Sequence, residues 1–269
     1  MMKPGKQPSK TPTKGQRNRN PAAATFEDWT AVRLFGLHAV EAALRNQERK
    51  ILRLLATENA ERRLAEALRA RGVRAERSSP SALDRMLGPD TVHQGVLLET
   101  ELLSEPSLGD LARRAQAGVP LVVLDHVTDP HNAGAVLRSA AVFGAAGLVM
   151  TRRHSPPLNG ALAKSASGAL EIVPVLLVQN LARTLAELKA GGFVVLGLDS
   201  KAAAAIEDEP FADKTAIVLG AEGKGLRELT AETCDRLVRI SAAGPLASLN
   251  VSNAAAVALH LAAMRRRSD

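Results

Sequence analysis

The sequence predicts an α/β protein with a mostly parallel sheet covered on both faces, because strand-like apolar runs alternate with helix-like segments from residue 120 onward. The run 120–124 is continuously apolar, which is typical of a strand buried on both faces. Glycines and small polar residues follow the predicted strands that end at Leu124, Leu219 and Ile240. Because ligands of parallel sheets bind at the carboxyl ends of strands, these three loops form the candidate site.

The same alternation sets the other elements of this region. Further strands are predicted at 147–151, 173–177, 193–198, 215–219 and 236–240. Helices are predicted at 133–143, 160–167, 181–190, 226–233 and 254–264.

A smaller α/β unit precedes this region. Its predicted strands are 51–56, 72–75 and a third entered at His93, and its predicted helices are 40–44, 58–71 and 79–87, the last with Ser79 and Ser81 as candidate caps. His93 invites a catalytic interpretation, but a single histidine at the start of a strand is more often structural. Residues 104–119 form a connector, within which 108–117 are predicted to be helical.

Composition narrows the class of protein. No apolar run reaches the length of a membrane span, and no N-terminal apolar segment is typical of a secretory signal. Cys234 is the single cysteine, so neither a disulfide framework nor a cysteine metal cluster is expected, and a cytoplasmic location fits. Aromatic residues make up only 2% of the chain, so a base-stacking platform is not expected.

Of the net charge of +7, +6 lies in residues 1–26 of the N-terminal tail, which runs from residue 1 to 31. This tail carries lysines and arginines without an acidic residue up to Phe26 and has few large apolar groups, so it is predicted to be disordered. A basic arm beside a nearly neutral body would attract a polyanion, with RNA the leading candidate. Keeping the protein soluble explains the arm equally well.

The first candidate loop runs from Asp125 into the predicted helix 133–143. Asp129 and Asn132 are placed to cap that helix, and Arg138 is expected to project from a face related to that of Asn132. An arginine on a helix of alanine, valine and leucine is costly to bury without a partner, and its planar cation suits a phosphate. The alternative is a surface arginine paired with an acid.

The second loop, residues 219–226, has three glycines in six residues, which permits close approach of the backbone to a ligand. The spacing fits neither a Walker loop nor the dinucleotide fingerprint. Glu222 within it is a poor neighbour for a pyrophosphate and tolerates a sulfonium, an amine or a hydroxyl better. The predicted ligand is therefore a nucleoside without phosphates, in preference to ATP or NAD.

The third loop, residues 245–254, joins the predicted last strand to the C-terminal helix. Ser248, Asn250, Ser252 and Asn253 can each cap a helix, so the loop is either an over-supplied cap or a site for a polar ligand.

Taken together in this order and spacing, the three loops resemble the signature motifs of the SpoU/TrmH family of RNA ribose 2′-O-methyltransferases in the SPOUT superfamily, over about residues 119–265. Residues 36–40 and 93–96 resemble the L30e-like RNA-binding domain of the subgroup that methylates guanosine in 23S ribosomal RNA. Residues 178–181 and 191–199 also fit that subgroup.

The resemblance implies a tail (1–31), an L30e-like RNA substrate-binding domain (32–102), a linker (103–118) and a SPOUT-type methyltransferase domain with a parallel sheet and a trefoil knot (119–269). It also implies a homodimer with the C-terminal helix in the interface. The implied cofactor is S-adenosylmethionine, bound largely through backbone groups of the cofactor residues Leu198, Leu219, Gly220, Ile240 and Leu249. No metal is expected, because a sulfonium methyl group has a good neutral leaving group.

The family's conserved polar positions correspond here to Asn132, Arg138, Glu222, Ser248 and Asn250. Arg138 is expected to hold the target phosphate and ribose, or to act as the base if its surroundings favour loss of its proton, with Asn132 positioning Arg138 or the ribose. Glu222 is expected to orient its loop or the nucleophile, and Ser248 and Asn250 to hold the pocket together. Two alternatives remain open, a transfer RNA substrate and a catalytically silent RNA-binding or ribosome-assembly protein.

One departure from the family is visible. Ser241 stands where the family usually has proline, which is expected to loosen one edge of the adenine pocket without removing binding.

Overall fold

The computed structural model describes residues 31–115, 118–244 and 248–266. The predicted basic tail up to residue 30, residues 245–247 of the third loop and the end of the predicted helix 108–117 lie outside the described residues. Within these ranges, no helix is both long and apolar enough to cross a bilayer.

The first unit is built on a four-stranded sheet in the order β1-β4-β2-β3. Only the β2–β3 pair is parallel, and β4 runs antiparallel to both of its neighbours. In chain order the elements are β1 (Val32–Phe35), α1 (Leu37–Arg45), β2 (Ile51–Ala56), α2 (Glu58–Arg63), α3 (Ala65–Arg71), β3 (Glu76–Arg77), α4 (Pro80–Leu87) and β4 (Val96–Thr100).

The turn before β4 is held by its own side chains. His93 is buried, its Nδ1 accepts from the backbone N–H of Gly95 at 2.9 Å, and its Nε2 lies 3.1 Å from a carboxylate oxygen of Asp84. Gln94 Oε1 accepts from the backbone N–H of Leu37 at 2.9 Å and so satisfies a free donor at the start of α1. The structural interpretation of His93 is confirmed, as is Ser79 as the cap of α4.

Two predictions for this unit are wrong in detail, and one strand was not predicted. The predicted strand 72–75 is instead a loop after Gly72, which ends α3 with a left-handed φ of 72°. The predicted helix 58–71 divides at Leu64, whose φ of −95° and ψ of 3° end α2 and start α3. β1 was not predicted, because its four residues gain a ladder only from β4, more than 60 residues away in sequence.

A seven-stranded sheet forms the second unit, with the order β7-β6-β5-β10-β8-β11-β9 and every pair parallel. The predicted parallel sheet is confirmed, and the implied trefoil knot stays a prediction. In chain order the elements are α5 (Leu108–Arg114), β5 (Leu121–Asp125), α6 (Pro130–Phe143), β6 (Gly147–Thr151), α7 (Gly160–Ala166), a 3₁₀ turn (Ala169–Glu171), β7 (Val175–Val178), α8 (Leu181–Ala190), β8 (Val194–Leu198), β9 (Ala204–Ala205), a second 3₁₀ turn (Ile206–Asp208), β10 (Thr215–Gly220), α9 (Glu228–Thr233), β11 (Arg236–Arg239) and α10 (Val251–Arg266).

Both faces of this sheet are covered. Leu111 of α5 and Leu185 of α8 join one core cluster with Val123 and Val218, which share one face of their strands. α10 packs against α6 and β10, where the alternate strand residues are buried. Because the central strands are buried on both faces, they are apolar along their whole length, and the sequence alone was enough to predict them.

Helix α6 carries the first candidate loop into the fold. Asp129 caps it by accepting from the backbone N–H of His131 at 2.9 Å. Gly134 lies directly against α7, where an added Cβ would be 2.5 Å from Ser165 Cβ and 2.7 Å from the carbonyl oxygen of Leu162. The two helices therefore approach more closely than any side chain at position 134 would allow.

Substitution Gly134→Ala is expected to lower the free energy of unfolding by about 1–3 kcal/mol, because α6 and α7 must separate to admit the methyl group. Urea denaturation followed by circular dichroism measures this. The matched control is Gly109→Ala, at an exposed position of α5 where the nearest atom to an added Cβ is 3.7 Å away. That control should stay within about 1 kcal/mol of the wild type, and an equal loss in both variants would contradict the packing argument.

Candidate functional site

The first two candidate loops leave the sheet side by side. Asp125 and Gly220 are Cα partners in the β5–β10 ladder, so the chain exits both strands at the same level. β8 lies on the other side of β10, and β11 lies next to β8. Because all of these strands are parallel, their carboxyl ends and the loops that follow share one edge of the sheet.

A cleft of roughly 410 Å³ opens at this edge, within the size range of small-molecule pockets. The five residues expected to bind the cofactor, Leu198, Leu219, Gly220, Ile240 and Leu249, all line it. Glu222 and Ser248 line it as well. Its walls combine aliphatic side chains with the exposed backbone of the glycine-rich loop, an arrangement that suits a ligand with both an apolar and a hydrogen-bonding part.

The glycine-rich loop folds back on itself. The backbone N–H of Gly225 donates to the carbonyl oxygen of Ala221 at 2.8 Å. An added Cβ on Gly220 would lie 2.1 Å from the carbonyl carbon of Gly225, and Gly225 has a left-handed φ of 68°. Close approach explains why the glycine at 220 is required, and it leaves backbone groups free of side chains along the cleft.

An ion pair between a buried carboxylate and a half-exposed arginine fixes the far end of this loop, and sequence reasoning missed it. Asp125 is fully buried, and its carboxylate accepts from the backbone N–H of Arg227 at 3.0 Å and from Arg227 Nε at 2.7 Å. The pair ties the residue after the loop to the end of β5. The available signal was an acidic residue ending an apolar strand, since such a carboxylate needs a partner when buried.

Asn250 joins all three loops. Its Nδ2 donates to Asn132 Oδ1 at 3.1 Å and to Glu222 Oε1, and its Oδ1 accepts from the backbone N–H of Ser252 at 2.8 Å and from the hydroxyl of Ser252 at 2.6 Å. Its amide therefore caps α10 and also reaches loops far away in sequence. Of the two interpretations of the third loop, the cap is confirmed for this residue, and the site for a polar ligand stays a prediction.

Ser248 lies at the cleft and is exposed, with no side-chain hydrogen bond to the rest of the described chain. The adjoining residues 245–247 lie outside the described ranges. The structure thus brings Ser248 to the pocket by position and not through the Asn250 network.

Arg138 is not brought into this network. It is exposed on α6, it does not line the cleft, and among described residues it has no ion pair or side-chain hydrogen bond. The expectation that it shares a related face with Asn132 is wrong, because six residues at about 100° each leave the two about 120° apart. The alternative of a surface arginine paired with an acid is not observed either.

At Ser241, where a looser edge of the pocket is expected, the structure shows a hydrogen-bonded contact with Glu207. The backbone N–H of Ser241, which proline would lack, donates to Glu207 Oε1 at 2.9 Å, and the Ser241 hydroxyl lies 3.1 Å from Glu207 Oε2. Burial opposes ionisation of Glu207, but hydrogen bonds from backbone N–H groups and from Ser241 outweigh it and lower the pKa of this carboxyl. Serine therefore tethers this edge of the cleft.

Sequence reasoning also passed over His126, which begins the first loop with a left-handed φ of 56°. Its ring centroid lies 4.7 Å from that of His154. Burial lowers the pKa of His126, and the nearby cation of Arg227 lowers it further. The imidazole is consequently neutral at neutral pH and is able to accept a proton or a hydrogen bond.

A parallel sheet with a nucleoside-sized cleft lined by a glycine-rich loop defines a class of α/β proteins that bind a nucleoside-type ligand at the carboxyl edge. Comparison with known proteins specifies the class further. The sequence model of the SpoU rRNA Methylase family matches residues 120–260, and that of the RNA 2′-O ribose methyltransferase substrate binding domain matches residues 33–106.

Individual relatives match most of the chain. It is 42% identical to the 23S rRNA (guanosine-2′-O-)-methyltransferase RlmB of Ralstonia nicotianae, over 87% of this chain and 96% of that protein. The SpoU methyltransferase AviRb from Streptomyces viridochromogenes, solved with the cofactor AdoMet, has a TM-score of 0.76 at 25% identity and covers 89% of this chain and 91% of its own. A structure concerned with 2-OH methylation of C/U34 on tRNA has a TM-score of 0.51 at 26% identity and covers 56% of this chain and 97% of its own. The chain belongs to the SpoU rRNA methylase family.

Substitution Gly220→Ala is expected to weaken binding of S-adenosylmethionine by roughly 10- to 100-fold, because overpacking against Gly225 costs about 1–3 kcal/mol and displaces the loop. Isothermal titration calorimetry measures the affinity. Gly244→Ala is the control, since an added Cβ there meets nothing within 4 Å. Equal affinity of the Gly220→Ala variant and the wild type would contradict the described loop geometry.

Proposed function

We propose that this chain transfers the methyl group of S-adenosylmethionine to the ribose 2′-hydroxyl of a guanosine in 23S ribosomal RNA. The observation that carries the proposal is the convergence of three loops on one cleft, joined by Asn250, in a chain that matches a named 23S rRNA guanosine methyltransferase over nearly its whole length. The carboxyl edge of the sheet is where such a reaction is expected.

The cleft residues fit the cofactor. Leu198, Leu219, Ile240 and Leu249 offer apolar contact to an adenine ring, and the backbone at Gly220 offers hydrogen bonds. Glu222, at the cleft and bonded to Asn250, supplies a negative charge that favours a sulfonium over a phosphate. When bound, S-adenosylmethionine supplies an electrophilic methyl group on a neutral leaving group.

The chain's own polar residues would hold the nucleophile. Asn132 and Glu222 are fixed relative to each other through Asn250, so a ribose hydroxyl at this network would meet preset acceptors and donors. Ser248 adds an exposed hydroxyl at the cleft. Arg138, without a partner among the described residues, is available for a phosphate of the target RNA, and this role suits a guanidinium better than proton abstraction does.

We further propose a homodimer whose interface is formed by the adjoining faces of α6 and α10. Val142 of α6 is 71% exposed and Met264 of α10 is 54% exposed, and the rings of Phe143 and His260 lie 5.5 Å apart between these helices. Exposed apolar side chains on adjoining helices are typical of a protein interface. Because Arg138 also lies on α6, such an interface would bring it near the second protomer.

The N-terminal unit favours ribosomal over transfer RNA as the substrate. We assign residues 32–102 to an RNA substrate-binding domain, 103–118 to a linker and 119–269 to the methyltransferase domain. The match to the ribosomal RNA enzyme extends across 87% of this chain, whereas the structure concerned with tRNA covers only 56% of it. A ribosomal RNA substrate also fits action in the cytoplasm.

A catalytically silent RNA-binding protein is the weaker candidate. Binding RNA does not require a cleft of this size, nor a network in which Asn250 joins Asn132 to Glu222.

Purified protein given labelled S-adenosylmethionine with 23S rRNA, 16S rRNA or bulk tRNA is expected to label 23S rRNA alone, as 2′-O-methylguanosine. Substitution Arg138→Ala should lower the rate by about 100-fold or more, because loss of the phosphate contact misplaces the ribose. Arg183→Ala, at an exposed arginine of α8 that is 80% accessible, is the control and should keep full activity. Label in tRNA alone, or cofactor binding without label in any RNA, would contradict the proposal.

A further inference from the structure

A buried ion pair connects the N-terminal unit to the unit that carries the cleft. Arg49, in the turn between α1 and β2, has a side chain that is 2% exposed, and Glu171, in the 3₁₀ turn after α7, has one that is 5% exposed. Arg49 Nε donates to Glu171 Oε2 at 3.1 Å, and Arg49 Nη2 donates to Glu171 Oε1 at 2.6 Å. The contact is therefore a two-point fork between a guanidinium and a carboxylate, which fixes direction as well as distance.

The remaining polar atoms of this pair are also satisfied. Arg49 Nη1 donates to the carbonyl oxygen of Glu101 at 3.0 Å, and Asn46 Nδ2 donates to Glu171 Oε2 at 2.8 Å. A buried ion pair adds little stability compared with apolar side chains of similar volume, because both charges must first lose their water. What such a pair can supply is one specific arrangement of the surfaces that it joins.

Close packing beside the pair leaves no room for sliding. An added Cβ on Gly160, the first residue of α7, would lie 2.3 Å from a ring carbon of Phe35 in β1. An added Cβ on Gly168 would lie 2.7 Å from the Cβ of Ala42 in α1. Two glycines of the second unit thus allow close contact with β1 and α1 of the N-terminal unit.

The connector between the units is tied down as well. Glu105 Oε1 accepts from the backbone N–H of Leu177 in the edge strand β7 at 2.8 Å. Arg152 Nη2 donates to both carboxylate oxygens of Glu105, at 2.9 and 2.8 Å. The connector therefore does not act as a free hinge at this point.

The surface that receives the N-terminal unit is in direct contact with the methyl-transfer site. α7 packs on α6 through Gly134, and Ser165 of α7 donates to the carbonyl oxygen of His131 at 2.9 Å. The next residue is Asn132, which bonds to Asn250. A continuous set of contacts therefore runs from the 3₁₀ turn of Glu171 through α7 to the first turn of α6, which holds Asn132.

The N-terminal unit also offers charge for a polyanion. Four of its exposed arginines make no ion pair or side-chain hydrogen bond with any other described residue, namely Arg62, Arg63, Arg74 and Arg85. Free guanidinium groups of this kind can bind RNA phosphates without reading sequence.

We propose that Arg49 and Glu171 are positioning residues, which hold RNA bound by the N-terminal unit at one fixed place relative to the cleft. This inference rests on the proposed function and concerns how that function selects its ribose. Breaking the pair would loosen the N-terminal unit, so RNA would still bind while the target ribose reached the cleft less often.

Three variants of the full chain test this. Glu171→Gln removes the charge and keeps the shape. Asn46→Ala removes the hydrogen bond to Glu171, together with a local one from the backbone N–H of Glu48, without leaving a charge unpaired. Glu187→Gln breaks a surface pair with Arg183 and is the matched control. For each, kcat/KM is measured on 23S rRNA, affinity for S-adenosylmethionine by calorimetry, folding by thermal unfolding, and the methylated nucleotide by mass spectrometry.

Glu171→Gln is expected to lower kcat/KM for 23S rRNA by about 100-fold, as misplacement by about 1 Å does, with unchanged cofactor affinity and some label at neighbouring nucleotides. Asn46→Ala should show a smaller loss of the same kind, and Glu187→Gln none. Should Glu171→Gln fail to fold, the Asn46→Ala variant decides the question.

Two results would overturn the inference alone. The first is a folded Glu171→Gln variant that has the kcat/KM of the wild type and methylates the same nucleotide. If Glu171→Gln does not fold, the same result in Asn46→Ala would overturn the inference. The other is a parallel loss of cofactor affinity, which would make the pair a support of the cleft. A wild-type chain that labels no 23S rRNA would instead overturn the proposed function, and this inference with it.

Discussion

The side-chain amide of Asn250 is the interaction on which the candidate site depends. It carries a donor and an acceptor on one short stem, so it can cap α10 through Oδ1 while Nδ2 meets two oxygens, from Asn132 and from Glu222. These partners lie 118 and 28 residues away in sequence. No aliphatic or acidic side chain could both accept from Ser252 and donate to the oxygens of Asn132 and Glu222. With such a side chain at position 250, the three loops would lack a shared contact.

The surrounding architecture makes this small contact effective. The paired ends of β5 and β10 place two loops side by side, and the ion pair of buried Asp125 with Arg227 holds the glycine-rich loop at its far end. Gly220 lets that loop fold against its own backbone. A cleft built in this way presents backbone groups more than side chains, which suits recognition of a nucleoside with a charged sulfur.

Sequence predicted the parts of the fold that periodicity controls. The strand Gly147–Thr151 and the helix Leu181–Ala190 appear with the predicted ends, because an apolar run and a helical repeat are local signals. The five residues expected to bind the cofactor were named from the resemblance to a family, and the structure places all of them along the cleft. What remained hidden depends on distant partners. The two-residue strand β9 exists only through its ladder with β11, and Arg138 carries no sequence mark of its exposure.

The most direct test of the three-loop network is the affinity for S-adenosylmethionine of Asn250→Asp, measured by calorimetry beside Asn253→Asp, an exposed position on the same helix. Aspartate at 250 keeps the cap on α10 but sets a second carboxylate against Glu222, so affinity should fall by at least about 10-fold while the Asn253→Asp control binds as the wild type does. Undiminished affinity in Asn250→Asp would mean that the loops hold their positions without this amide, and the account of the site would be wrong.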